Sequence, residues 1–273
     1  MNEINKKVLD FYKIMPFNIY GDLTKACENI KSNPIDQIYP FLKENLSKAV
    51  NILDVGCGGG WLVNNIGYYY KSKLITGIDF NPAAIKFASE VSTKLNLNNK
   101  FEIQDLFTFD QKGFDLVLSM GVLHHTNNCL GALDHICKLG SKKSNIYVGL
   151  YHKFGRRPFL DFVNSIKHLN EKQKFKKYQE MHKLTDEVHL KSWFRDQVLH
   201  PHETQHTLQE VLEIFNKNNY VFMGTSINHF SQGDSIEKIL QEEKKLLDYA
   251  SEKIKNKIYY PGFFIVRGEK NES

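Results

Sequence analysis

The stretch NILDVGCGGG, residues 51–60, places a glycine-rich loop directly after an apolar run that is typical of a buried strand. The residues that follow, 60–70, have a helical pattern. Glycines at such a strand-to-helix turn let the backbone turn tightly and come close to a ligand that a Cβ atom would exclude. The stretch therefore predicts a ligand-binding loop after the first strand of an α/β fold.

Three kinds of glycine-rich loop compete for this position. A P-loop requires G-x-x-x-x-G-K-[ST], and no Lys-Ser or Lys-Thr follows here. A dinucleotide loop requires G-x-G-x-x-G/A, but Trp61 occupies the third glycine position, where its ring would oppose close helix–strand packing. The remaining match is the pattern D-x-G-x-G-x-G, formed by Asp54, Gly56, Gly58 and Gly60.

Short β-rich runs alternate with helical patterns on both sides of the loop. Strands are predicted at 51–55, 74–79, 101–103, 114–119 and 145–150, with helices at 60–70, 82–95 and 129–139. This alternation predicts βαβ units and a mostly parallel sheet that is covered on both faces.

The flanking regions have a different texture. We interpret residues 1–48 as an N-terminal helical cap and 49–273 as the main domain, with a helical insertion at 153–206. A helix should begin after Thr207, because Thr207 and Glu210 form a capping box. The last predicted elements are a helix at 208–217, a strand near 220–227, a long helix near 235–255 and a strand at 263–266.

The composition indicates an ordinary globular protein. The chain has 273 residues and a formal net charge of +5, from 36 basic and 31 acidic side chains. This weak positive charge does not indicate a nucleic-acid partner. The four cysteines have no C-x-x-C spacing, and no run approaches the roughly 18 apolar residues of a membrane span. We therefore expect a reduced, cytoplasmic setting and no signal peptide.

Four further elements follow the loop in a recognisable order. Asp79 ends the second strand, Gln104-Asp105-Leu106 follows the third, and FDLVLS at 114–119 leads into MGVLHHT at 120–126. Together these residues resemble the class I S-adenosylmethionine (SAM)-dependent methyltransferases, and the LHH loop resembles that of bacterial small-molecule members. One departure is LGSKKS at 139–144, where the family usually has an L-K-P-G-G turn.

The resemblance implies SAM as the cofactor and a Rossmann-like sheet of seven strands, mostly parallel, with the last one antiparallel. In the family, the acid at the position of Asp79 holds both ribose hydroxyls, a natural task for a carboxylate acceptor. Asp105 would accept from the adenine amino group, and Leu106 would offer its backbone N–H. The predicted cofactor-binding residues are Asp54, Gly56, Cys57, Gly58, Gly60, Asp79, Phe80, Asp105, Leu106, Ser119 and Met120.

Candidate catalytic residues follow the fourth and fifth strands. His124 and His125 lie after strand four, where either ring could act as a base because imidazole titrates near neutrality. Tyr151 ends strand five and could bind the acceptor. For each of these residues, a purely structural role remains open. The predicted substrate-binding residues are Tyr12, Tyr20, Arg195, His200, His202 and His206.

The stretch HPHETQH, residues 200–206, contains the sequence motif H-E-x-x-H, which zinc metalloproteases of the zincin type share. That motif requires a helix, which puts both histidines on one face, and here Pro201 and the N-cap Thr207 indicate that the stretch precedes the helix. We therefore expect no metal and interpret these residues as a polar wall of the acceptor pocket. A metal site or an exposed polar loop remains an alternative.

These patterns predict methyl transfer from SAM to a small-molecule acceptor by in-line displacement. Two alternatives stay open, an RNA methyltransferase and a SAM-binding regulatory module without transferase activity. The lysines between 167 and 183 are interspersed with acids, and no N-P-P-Y-type sequence follows strand four, which disfavours RNA. The sequence leaves the acceptor and the oligomeric state open.

Overall fold

A computed structural model describes residues 2–272, so the first and last residues of the predicted cap and domain, Met1 and Ser273, lie outside the described part. Seven strands form one sheet. They are β1 (Asn51–Val55), β2 (Leu74–Asp79), β3 (Lys100–Ile103), β4 (Phe114–Met120), β5 (Gly140–Tyr151), β6 (Tyr220–Thr225) and β7 (Phe263–Lys270). Their order is β3-β2-β1-β4-β5-β7-β6. The strands β1 to β5 are parallel, and β7 is antiparallel to both β5 and β6. The prediction of a mostly parallel, seven-stranded sheet with an antiparallel last strand is confirmed.

Thirteen α-helices are present in the described residues. The first seven are α1 (Glu3–Ile14), α2 (Leu23–Ser32), α3 (Ile35–Ile38), α4 (Lys43–Lys48), α5 (Trp61–Tyr69), α6 (Pro82–Lys94) and α7 (Cys129–Ile136). The other six are α8 (Arg157–Ser165), α9 (Glu171–Gln179), α10 (Glu187–Phe194), α11 (Leu208–Lys217), α12 (Ile236–Glu243) and α13 (Leu246–Lys255). The predicted capping box of Thr207 and Glu210 begins α11.

Helices cover both faces of the sheet. On one face, α7 and α11 pack through Leu133 and Phe215, which are fully buried. On the other face, α5 and the N-terminal helices pack through Ile35 and Val63. The central strands are therefore apolar on both faces, as a covered parallel sheet requires.

Two predicted elements differ from the structure. The long helix at 235–255 is two helices, because α12 packs against α11 whereas α13 packs against α8. The fifth strand begins at Gly140 rather than at 145, since Gly140 pairs with Phe114 and a bulge absorbs the following residues. Most of the stretch 139–144, which stands where the family usually has a turn, therefore belongs to β5.

The chain order places β1 and β4 side by side, with β2 and β5 on their outer sides. The connections after β1 and β4 leave the sheet in opposite directions, which opens a crevice at the carboxyl ends of these strands. The N-terminal helix α1 and the insertion lie over this crevice, because Tyr12 and Gln197 both line cavities there. Within residues 2–272, every helix is too short or too polar to span a bilayer.

Candidate active site

The glycine loop has the left-handed backbone that its sequence predicts. Gly56, Gly58 and Gly60 have φ angles of 74°, 51° and 74°. The backbone N–H groups of Gly56 and Cys57 both donate to the carbonyl of Ile78, which ties the loop to the end of β2. A Cβ atom on Gly58 would meet no atom within 4 Å, so this glycine faces open space.

Two cavities meet at this loop and share Phe17, Gly56, Gly58, Met120 and Gly121. The first cavity has a volume of about 120 Å³ and extends towards the ends of β2 and β3. The second cavity has a volume of about 240 Å³ and extends towards the ends of β4 and β5 and the insertion.

Nine of the eleven predicted cofactor residues line these cavities. Asp79, Phe80, Asp105 and Leu106 line the first cavity, Asp54 and Cys57 line the second, and Gly56, Gly58 and Met120 line both.

Gly60 and Ser119 do not line either cavity. A Cβ atom on Gly60 would lie 2.5 Å from the Cβ of Ala88, so this glycine allows close packing of α5 on α6. The hydroxyl of Ser119 is fully buried and donates to the carbonyl of Val55 between the two central strands. The structure therefore gives both residues packing positions, and their predicted cofactor contacts stay a prediction.

The carboxylate of Asp79 closes the glycine loop. It accepts hydrogen bonds from the backbone N–H of Gly58 at 2.9 Å and from that of Asn81 at 2.8 Å. Burial raises the pKa of Asp79 to about 6 despite these hydrogen bonds. Burial, followed by the charge of Asp79, raises the pKa of Asp54 to about 7. The two carboxyl groups therefore hold their protons unusually tightly and lose them most readily beside a positive charge.

The polar wall of the second cavity is built by residues 195–199, which form a π-helical turn after α10. The wide π turn directs both Asp196 and Gln197 inward, and such turns are frequent at functional sites. The side-chain N–H of Gln197 donates to the hydroxyl of Tyr151 at 2.6 Å and to Asp196 at 2.5 Å. From the opposite side, the hydroxyl of Tyr12 donates to Asp196 at 2.5 Å.

Arg156 holds this wall from behind. Its guanidinium is 0% exposed and donates to both carboxylate oxygens of Glu203, at 3.0 and 2.7 Å. It also donates to the side-chain oxygen of Gln197 at 2.8 Å, and its central carbon lies 3.8 Å from the centre of the Tyr151 ring. These contacts fix the Gln197 amide so that its N–H group, rather than its oxygen, faces Tyr151 and Asp196.

His124 and His125 are neighbours with opposite hydrogen-bond roles. Nδ1 of His124 accepts the backbone N–H of Tyr151 at 3.3 Å, so the proton of the neutral ring is on Nε2. Nδ1 of His125 lies 3.0 Å from the carbonyl oxygen of His202 and must donate to it, which leaves the lone pair on Nε2. That Nε2 is 3.8 Å from the carboxylate of Asp196. Burial, and then the proximity of His125, lowers the pKa of His124 well below its ordinary value, so His124 stays neutral.

Of the predicted substrate residues, Tyr12 lines the first cavity. His200 lines neither cavity, but its ring centre lies 3.8 Å from that of His125, with the two rings tilted by 35°. The other four lie elsewhere. Tyr20 stacks on His189 at 4.4 Å, and the Arg195 guanidinium lies over the ring of Phe11. His202 and His206 contact, respectively, the carbonyl of Thr126 and the hydroxyl of Thr204, and neither histidine lines a cavity.

The HPHETQH stretch precedes α11, as predicted from its capping signals. Its Glu203 is engaged by Arg156 rather than by histidines. Among residues 2–272, no three His, Cys, Asp or Glu side chains are grouped so that they could hold a metal ion.

Sequence reasoning missed Asp196 as a site residue, together with the aromatic rings of Trp193 and Tyr259, which also line the second cavity. Helical periodicity carries no signal for a π turn, so it could not show that Asp196 and Gln197 both face inward.

The fold and the two cavities define a class I methyltransferase domain, whose cofactor is SAM. A family model described as a methyltransferase domain matches residues 46–216, and the chain belongs to this family.

Relatives and solved structures are similar over different lengths. The ubiquinone biosynthesis O-methyltransferase of Coxiella burnetii (strain Dugway 5J108-111) is 29% identical over 102 residues, which cover 35% of this chain and 43% of the relative. The magnesium protoporphyrin IX methyltransferase of Synechocystis PCC 6803, solved with bound SAM, is 14% identical. It superposes with a TM-score of 0.55 and 99% coverage of both chains. The PKMT2 structure from Rickettsia typhi has a TM-score of 0.60 at 18% identity, over 80% of this chain and 48% of that one. The chain therefore spans less than half of the length of the Coxiella and Rickettsia proteins.

Proposed function

We propose that this chain transfers a methyl group from SAM to a small-molecule acceptor that binds in the second cavity. The observation that carries this proposal is the continuity of the two cavities. The glycine loop at Gly58 opens on one side to Asp79 and on the other side to a buried polar wall at Tyr151 and Asp196. A cofactor and an acceptor can therefore meet at the glycine loop.

The residues of the first cavity fit the adenosine part of SAM. Asp79 offers carboxylate oxygens to two adjacent ribose hydroxyls, and the open space at Gly58 allows the cofactor to approach the backbone. Asp105 and Leu106 line the far end of this cavity, where an adenine ring would lie. When bound, SAM supplies a methyl carbon made electrophilic by its sulfonium charge.

His125 is the proposed proton acceptor. In its neutral form the ring, which donates from Nδ1 to the carbonyl of His202, would present the Nε2 lone pair, and Asp196 at 3.8 Å would stabilise the imidazolium that forms. His124 is the proposed orienting residue, because its Nε2–H can donate but its Nδ1 is already occupied. Tyr151, whose hydroxyl is held by Gln197, is proposed to position the acceptor.

A small-molecule acceptor is favoured over RNA by the lining of the second cavity. Phe17, Trp193 and Tyr259 contribute aromatic rings to it, and none of the lysines between 167 and 183 lines it. A SAM-binding module without transferase activity would not need the pair of His125 and Asp196 beside the cofactor loop. The Coxiella and Synechocystis proteins have names that specify small-molecule methylation, which agrees with this proposal.

The test combines cofactor binding with transfer. Calorimetry should show binding of SAM and S-adenosylhomocysteine (SAH) to the wild type, and loss of both in Asp79→Ala. Asp110→Ala, at an exposed carboxylate outside the cavities, is the matched control and should bind normally. Labelled SAM should then label a low-molecular-weight metabolite pool but not RNA. Binding without labelling of any pool would support the regulatory module, and labelling of RNA would support the RNA enzyme.

A further inference from the structure

The second cavity has an unbalanced charge. Among the described residues that line it, Asp54 and Asp196 are acidic and none is Lys or Arg. A carboxylate or phosphate group on the acceptor would therefore find no cationic partner, and it would meet two buried acids. This charge pattern disfavours anionic acceptors.

Asp196 is the acid at the acceptor end. Its side chain is 5% exposed, and its hydrogen-bond donors are neutral: the Tyr12 hydroxyl, the Gln197 amide and, at 3.5 Å, the Tyr151 hydroxyl. Within residues 2–272 no Lys or Arg nitrogen lies within 4.0 Å of it. The guanidinium of Arg156 is already paired with Glu203 behind the Tyr151 ring.

SAM does not compensate this charge. SAM carries one net positive charge, because its sulfonium and ammonium groups are positive and its carboxylate is negative. Asp54 beside the glycine loop can balance that charge. A buried carboxylate that keeps only neutral donors remains costly, and a cation from the second substrate would stabilise it.

Aromatic rings surround the same space. Phe17 and Trp193 have ring centres 5.2 Å apart, and Tyr259 lies 6.1 Å from Trp193. Tyr39, Trp61, Tyr151 and Phe263 also line this cavity. Aromatic faces attract ammonium ions through their quadrupoles, most strongly where water is excluded.

A second, independent feature indicates that a ligand completes this site. His124 lines the second cavity and is 1% exposed, and its Nε2 has no hydrogen-bond partner. His125 lines the first cavity, and its Nε2, 3.8 Å from the Asp196 carboxylate, also has no hydrogen-bond partner among the described residues. Buried polar atoms without partners are costly, so both nitrogens are expected to find partners in the bound state.

Building on the proposed function, we propose that the acceptor is a small molecule with an amine, which binds as an ammonium ion against Asp196 and is methylated on nitrogen. The ammonium first gives one proton to Nε2 of His125, which becomes an imidazolium paired with Asp196. The amine nitrogen then bonds to the methyl carbon as the carbon–sulfur bond of SAM breaks. That electron pair goes to sulfur, which leaves SAH and a methylated ammonium product.

The test separates a low-molecular-weight cell extract by ion exchange at neutral pH into cationic, neutral and anionic fractions. The full-length protein is incubated with each fraction and methyl-labelled SAM. Label in the cationic fraction, located on nitrogen by mass spectrometry, is the expected result. Label in the neutral or anionic fraction, or on another atom, would overturn the amine proposal and leave the proposed function intact. SAM binding without label in any fraction would contradict the proposed function itself.

Asp196→Asn tests the contact directly, because it keeps the shape and removes the charge. It should lower kcat/KM for the labelled amine by roughly 10- to 100-fold, the value of a hydrogen bond to a charged group. Circular dichroism should show the wild-type fold, and SAH affinity should fall by less than kcat/KM does, through the weakened hydrogen bond from Tyr12. Asp161→Asn on the exposed face of α8 is the matched control and should change neither. Full activity of Asp196→Asn on the amine would refute the proposal.

Discussion

The hydroxyl of Tyr12 donates a 2.5 Å hydrogen bond to the carboxylate of Asp196, although the two residues are 184 positions apart in the chain. This bond joins the N-terminal helix α1 to the π turn of the insertion. The same helix is held to the main domain by the side-chain N–H of Asn81, which donates to the backbone carbonyl of Tyr12 at 3.0 Å. Since Tyr12 also lines the first cavity, α1 closes the cofactor site and the polar wall together.

Tyr12→Phe should speed the release of SAH. The substitution keeps the ring and removes one hydrogen bond to a buried carboxylate, a loss of about 1.5–3 kcal/mol, which corresponds to roughly tenfold or more in the dissociation rate. Stopped-flow fluorescence measures this rate. Tyr69→Phe, which removes a hydroxyl that donates to the carbonyl of Lys31 far from both cavities, is the control and should release SAH at the wild-type rate. Equal rates in all three proteins would show that α1 does not gate the cofactor.

Gly58→Ala and Gly60→Ala should differ in whether SAH affinity or protein stability falls more. Both glycines have positive φ angles, so alanine costs about 1–2 kcal/mol at either position. The new methyl group at 58 meets no protein atom and enters the shared part of the cavities, so SAH affinity should fall more than stability. The methyl group at 60 would meet Ala88, so stability should fall more than affinity. Calorimetry and thermal melts measure both, and wild-type affinity in Gly58→Ala would contradict the placement of the cofactor.

SAM affinity should increase as the pH rises from about 6 to about 8. Burial raises the pKa values of Asp79 and Asp54 to about 6 and about 7, so the free protein carries extra protons below that range. SAM is cationic and favours the ionised carboxylates, so its binding releases protons. For each carboxyl group that must lose a proton, the affinity for SAM rises by up to about tenfold per pH unit below the pKa of that group. Calorimetry across this range checks the slope. Asp54→Asn should remove the upper part of the pH dependence, and a flat profile in the wild type would reject this linkage.

His125→Gln should lower kcat by at least about 100-fold, the usual contribution of a general base. His124→Gln should have a smaller effect on kcat. The glutamine amide can still donate a hydrogen bond to the bound acceptor, as proposed for the Nε2–H of His124. Both variants are compared in single-turnover transfer to the acceptor identified by labelling. A larger loss in His124→Gln than in His125→Gln would reverse the assigned roles.

Arg156→Met should destabilise the protein by about 3–5 kcal/mol, because Glu203 would be left as an unpaired charge in a largely buried position. Adding Glu203→Gln to this variant should restore part of the loss. Urea unfolding measures the free energy of unfolding of both proteins. Arg195→Met, at a guanidinium that lies over Phe11 and pairs with no carboxylate in the described residues, is the control with a small expected effect. A double variant no more stable than the single one would show that the ion pair is not the cause.

Local sequence patterns predicted helices correctly where the helix boundary depends on neighbouring residues. The capping box at Thr207 begins α11, and Pro82 begins α6 as expected for a first helical residue. The same patterns gave a wrong boundary where tertiary packing ends a helix. The helix predicted at 235–255 is interrupted after Glu243, whose buried carboxylate accepts hydrogen bonds from His152 and from the backbone of Leu208. Those partners lie 35 or more residues away, outside any local window.

The class of this protein follows from local sequence patterns. The glycine spacing at 54–60, the acid at Asp79 and the alternation of strands and helices reflect backbone geometry and apolar periodicity, which act over a few residues. The proposed acceptor site, in contrast, depends on contacts between distant parts of the chain. Asp196 becomes a wall residue because a π turn directs it inward, Tyr12 reaches it from the other end of the chain, and Arg156 orients Gln197 beside it. Those relationships depend on burial and on long-range hydrogen bonds, which form only when the chain closes around the crevice.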